Sequence, residues 1–107
     1  MANPWAGEVE LVIDGEARVM RLTLGALAEL EAALEAGSLL DLVRRFEEGA
    51  FSARDVLALL AAGLRGGGET ITAAELARAE IAGGPRAAAR AAAELLARAF
   101  MEPGDRP

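Results

Sequence analysis

Four groups of residues have the types from which functional sites are made, and each is read first for the chemistry it could support. The run Gly63-Leu64-Arg65-Gly66-Gly67-Gly68 has the glycine density of a phosphate cradle. A phosphate loop of that kind also requires a preceding strand and a Lys-Ser/Thr pair, and the chain contains no lysine; the run is therefore expected to stop a helix and continue as a flexible loop. The carboxylates Glu29, Glu31 and Glu35, with Glu47 and Glu48, could be paired for acid–base work, but their spacing puts them on the water side of short amphipathic helices. General acid catalysis needs a sheltered carboxyl. Arg86, Arg90 and Arg98 form a stripe at helical spacing that Glu94 interrupts, a pattern expected for pairing within one helix. Trp5 lies outside every periodic stretch and can be read as a lid on the core or as an anchor for a partner.

Absences narrow the field further. Neither histidine nor cysteine occurs in the 107 residues, which removes Ser–His and Cys–His nucleophiles, disulfides and the usual zinc ligand sets. No cofactor, metal or catalytic residue is expected, and the chain is read as a non-enzyme. A formal net charge of -6 argues against direct contact with nucleic acid, because no excess of arginine exists to neutralise phosphates. The opening MANPWAGEVE has no basic or apolar region of a signal peptide, and no apolar run reaches the length of a spanning helix. A cytoplasmic protein without membrane contact is expected.

The elements that position these residues follow from periodicity and punctuation. Residues 1–7 form a lead. Over residues 8–23 the apolar period is two, and Asp14-Gly15 marks a hairpin. Two registers compete. A two-residue loop sets Ile13 against Glu16 and Leu11 against Arg18, whereas a three-residue loop sets Val9 against Val19 and Leu11 against Ala17. The second gives one apolar face and is the expected one. A hairpin cannot stand alone in water, so it must lie on helices or pair through a free edge, and a homo-oligomer is one way of using that edge.

Residues 24–101 form a helical body of about five helices. Thr23, Ser38, Ser52 and Thr72 can cap four of them, the last three with an acidic residue three positions on. The expected apolar stripes are Leu24, Leu27, Leu30 and Leu34, then Leu39, Leu42, Val43 and Phe46, then Val56, Leu57, Leu60 and Leu64. A fourth helix should carry Leu76, Ala77 and Ile81 on one side. A fifth, from about Pro85 to Met101, should bury Ala88, Ala92, Leu95, Leu96, Ala99 and Phe100. Gly37 and Gly49 are placed to end helices in left-handed conformation. Phe51 has the position of a hydrophobic staple to Val56 or Leu57. Residues 102–107 read as a frayed tail. The fold class is thus α+β and mainly helical, an N-terminal β-hairpin followed by about five short helices in one domain spanning 1–107.

The hairpin with Asp14-Gly15, the Leu27-Ala28-Glu29-Leu30-Glu31 segment, the Ser38-Leu39 start, the Phe51-Ser52…Asp55-Val56 step and the Ala62-Gly63-Leu64 close resemble one known pattern. Over about residues 7 to 100 the chain resembles the small tail assembly chaperone family of bacterial gene transfer agents and siphophage-like prophages, some of whose members carry the label of tail tube protein. The resemblance implies binding without chemistry: copies would coat the tape measure protein, keep it soluble and give way as the tail tube protein polymerises. It implies no active-site residues. The alternative within the same setting is a structural component, a tube or tail-terminator subunit, retained in the particle. Trp5, Phe46, Leu64 and Phe100, large apolar residues near element ends, are the candidate partner-binding positions.

Overall fold

The computed structural model describes residues 7–34 and 38–100. They form a two-stranded antiparallel hairpin, β1 (Glu8–Ile13) and β2 (Glu16–Arg21), followed by α1 (Leu24–Ala33), α2 (Leu39–Glu48), α3 (Ala53–Gly66), α4 (Ala73–Arg78) and α5 (Gly84–Ala99). The lead to Ala6 with Trp5, the residues Glu35 to Gly37, and the chain from Met101 onward lie outside the described residues.

The caps act as the punctuation implies. Thr23 accepts from the Ala26 N–H, while Ser38 with Asp41, Ser52 with Asp55 and Thr72 with Glu75 form reciprocal capping boxes. Gly49 closes α2 at φ 72°, and Pro85 lies in the first turn of α5.

α3 is the pillar of the core. It buries Val56, Leu59, Leu60, Ala61, Ala62, Gly63 and Leu64, nearly its whole circumference over two turns. It packs on β2, α1, α5 and α4, while α5 also covers β1. Small side chains let these neighbours come close. A Cβ added to Gly63 would lie 2.7 Å from Leu95 Cδ1 and 3.1 Å from Met20 Cβ.

The hairpin takes the two-residue loop, not the expected three-residue one: Val9 pairs with Met20, Leu11 with Arg18 and Ile13 with Glu16. Asp14 (φ 51°) and Gly15 (φ 83°) both occupy the left-handed region, as a primed hairpin turn demands. Matching apolar residues across the two strands was the wrong criterion, for two reasons. Arg18, opposite Leu11, turns its head to Glu69 and Glu16, so it can share a face with buried residues. The apolar neighbour of Ile13 comes from outside the hairpin, through an antiparallel bridge to Ile81.

That bridge corrects the fourth helix as well. α4 stops at Arg78, and Ile81 is an extended residue beside β1; Ala77 is exposed. Leu24, assigned to the apolar stripe of α1, is 84% exposed. Phe100 follows the end of α5 at 47% exposure instead of being buried within it.

The glycine run is packing surface, not loose loop. α3 continues through Gly66, and a Cβ there would lie 1.9 Å from the Arg21 carbonyl oxygen. At Gly67 it would lie 2.2 Å from the Val19 oxygen. The end of α3 therefore lies against the outer edge of β2. The opposite edge is covered too, by Asp14 N–H donating to the Glu80 oxygen (2.7 Å) and Ala82 N–H to the Val12 oxygen (3.0 Å). The Glu8 carbonyl accepts from the Arg98 guanidinium. The hairpin edges, expected to be unpaired, are thus covered by α3 on the β2 side and at Glu8, Val12 and Asp14 on the β1 side.

Candidate interaction surface

Asp55 is the one buried charged residue among those described. Two elements fix it. Its place at the third position of α3 lets it accept from the Ser52 N–H at 2.9 Å, and Arg45 near the end of α2 reaches across with Nε and Nη2, each at 3.1 Å. Burial pushes the Asp55 carboxyl up, but the Arg45 hydrogen bonds, the Ser52 N–H and the Arg45 charge outweigh it and hold it below its ordinary value of 3.8. A carboxylate held ionised and fully occupied locks α2 to α3; it has no proton to give at neutral pH.

Among the described residues the other carboxylates do not gather into a site, and Glu35 lies outside them. Glu29 pairs with Arg65 at 2.9 Å and Glu94 with Arg98 at 3.1 Å, the latter at the expected i, i+4 spacing. Glu31, Glu47, Glu48, Arg86 and Arg90 are exposed. Among the described residues, no group of three or more acidic side chains could hold a metal ion. Every described buried polar side-chain atom has a partner.

What the fold does build is an alanine-lined groove of about 490 Å³. Phe51 and the first turns of α3 (Val56, Leu57) form its floor, and Leu76 and Ile81 one wall. Pro85, Ala88 and Ala89 at the start of α5 form the other. Phe51 also stacks on Phe46, ring centroids 4.4 Å apart and 6° from parallel, which fixes the rim at the end of α2. The low alanine wall of α5 was the visible signal for such a groove. The wall from α4 and Ile81 has no such signal, because the spacing of Ile81 from Leu76 and Ala77 also suits a helix.

The candidate partner-binding positions are scattered. Phe46 is half-buried against Phe51, and Phe100 is exposed at the end of α5. Leu64 is not exposed at all: it is 0% accessible in the middle of the core, since the end of α3 is roofed by β2. Trp5 lies outside the described residues. None of Phe46, Leu64 or Phe100 lines the groove.

No described helix is long and apolar enough to cross a membrane. The chain has no match among curated proteins or solved structures. The model of one family, described as phage tail tube protein, GTA-gp10, matches residues 6–102, and the chain belongs to that family of gene transfer agent and phage tail proteins.

Proposed function

We propose that this chain is a non-enzymatic component of the tail tube of a gene transfer agent or related phage-like particle, assembled in the cytoplasm and retained as a structural subunit. The family match over residues 6–102 carries this reading. A body of close-packed helices in which every described buried polar side-chain atom has a partner suits a part used in many copies, where shape and surface matter and no reacting group is needed.

A second reading is favoured by one specific observation. Tubes held together by continuous strand pairing need open sheet edges, and both edges of this hairpin are covered. A helical domain with an apolar groove suits a tail assembly chaperone that holds the tape measure protein through weak, repeated contacts and leaves as the tube protein polymerises.

Quantifying the chain in purified particles against cell lysate separates the two. Presence at tube stoichiometry supports the structural subunit. Absence from particles, with co-purification and solubilisation of the tape measure protein on co-expression, supports the chaperone. Absence from particles without any tape measure complex would refute both.

A further inference from the structure

The segment between α3 and α5 packs on the core through Leu76, Ala79 and Ile81, and its main chain meets the hairpin at few points. α4 has six residues and one buried side chain, Leu76. Beyond it, the extended residues Glu80 to Ala82 are fastened to the hairpin by the single bridge Ile13–Ile81. Three hydrogen bonds accompany that bridge: Asp14 N–H to the Glu80 oxygen, Glu80 N–H to Asp14 Oδ1 at 2.9 Å, and Ala82 N–H to the Val12 oxygen. By contrast, β1 and β2 share six paired positions. The segment also has defined ends. Arg65 anchors the Ile71 carbonyl on one side, and Gly83 and Gly84, both with positive φ, form the other.

The same segment does two jobs. It supplies Leu76, Ala79 and Ile81 to the groove and covers the outer edge of β1. The edge of β2 is covered instead by α3, which cannot leave without dismantling the core. We infer that residues 72–82 form a lid that opens as one unit about Gly83–Gly84, uncovering the β1 edge and the groove together, and that the chain enters the tail with this lid open. The assembly half of this inference rests on the tube-subunit reading; the opening itself does not. Local opening of a weakly attached unit below the cost of global unfolding is a general property of such segments. It also resolves how a closed hairpin edge could become available for strand pairing.

Native-state hydrogen exchange on the isolated chain tests the opening. The amides of Asp14, Glu80 and Ala82, whose acceptors lie across the joint, are expected to exchange together, on the order of a hundredfold or more faster than those between β1 and β2. Exchange of both sets at one rate would overturn the lid. The assembly role is tested with Ile13→Cys/Ile81→Cys. These two residues face each other at a non-hydrogen-bonded pair, a geometry compatible with a disulfide, and no native cysteine competes. Incorporation into tails by the reduced but not the oxidised protein supports the lid. Equal incorporation of both overturns it and leaves the tube subunit standing. Wild-type chain missing from tails overturns the tube reading and the lid's part in assembly with it. If Ile13→Cys impairs folding, the exchange measurement on wild-type protein still decides the opening.

Discussion

Replacing Gly66 by alanine should destabilise this protein, although the same change inside a helix ordinarily stabilises by up to about 1 kcal/mol. The reason is the approach of α3 to the edge of β2. An ideal Cβ on Gly66 lies 1.9 Å from the Arg21 oxygen, 3.1 Å from the Arg21 carbonyl carbon and 3.4 Å from Ala26 Cβ. Real Cβ contacts do not fall below 3.0 Å, so helix and strand must part by about 1.1 Å, the difference between 3.0 and 1.9. The obstacle is main chain in a laddered strand, not the end of a flexible side chain, so local relaxation is expensive. Overpacking of this kind costs about 1–3 kcal/mol and sometimes more, and the upper part of that range applies here. A net loss of about 2–3 kcal/mol corresponds to a fall in Tm of roughly 10–20 °C for a domain of this size. The matched control is Gly25→Ala in the first turn of α1, where the nearest atom, Thr23 Oγ1, is 3.9 Å away. It should leave Tm unchanged or raise it by a few degrees. Thermal unfolding followed by circular dichroism reads both variants. A Gly66→Ala protein as stable as wild type, with Gly25→Ala behaving as stated, would show that α3 does not press on β2 as described.

Three further outcomes are expected. Asp55→Asn should cost about 2–3 kcal/mol at neutral pH by denaturant titration, since it breaks a bidentate charged pair and leaves Arg45 without its anion. The Asp55 carboxyl is held below 3.8 in the folded protein, so its contribution is fully present above that value and is lost as pH falls through the lower folded one; the deficit of the variant should therefore shrink below about pH 4 and persist from pH 5 to 8. Leu64→Ala should cost about 2–5 kcal/mol as a cavity mutation at a fully buried site, measured by the same titration. Phe100→Glu, at a 47% exposed position, should change stability by no more than about 0.5 kcal/mol while lowering retention in tails; unchanged retention would remove Phe100 from the contact surface.

Local signals in this sequence were reliable and long-range ones were not. Four N-caps, the left-handed Gly49 and the position of the hairpin at Asp14-Gly15 are decided within four residues of themselves, so Ser38, Ser52 and Thr72 can be read directly. The hairpin register was misread because its deciding partners are distant: Glu69 receives Arg18, and Ile81 packs beside Ile13. Ile81 was misplaced for the related reason that its spacing from Leu76 and Ala77 also suits a helix, and only the bridge to β1 distinguishes the two. Leu64 lies near an element end, where exposure is expected, but that end is roofed by β2. For the glycine run a usable signal existed. Only Gly68 of the three adopts positive φ, at 101°, so turn geometry alone never required Gly66 and Gly67. Glycine without a conformational need points to a close approach by something else.

The two covered edges bear directly on how copies of this chain can meet. A folded domain with one open strand edge would add copies edge to edge without control, and here that edge is denied on one side by a core helix and on the other by a small segment. The asymmetry matters. The α3 cover shares its energy with Leu59, Leu60 and Leu64, so removing it means unfolding. The cover from Glu80 to Ala82 depends on one bridge, a few hydrogen bonds and the packing of Leu76, Ala79 and Ile81, contacts that a neighbour could replace in kind without unfolding α3. Growth by strand pairing in this fold would therefore be directional, through β1 alone, and switched by the segment that also walls the groove. If the lid never opens, only helix faces and the closed groove are left for contact, and the weak, repeated binding of a chaperone becomes the arrangement the surface can support.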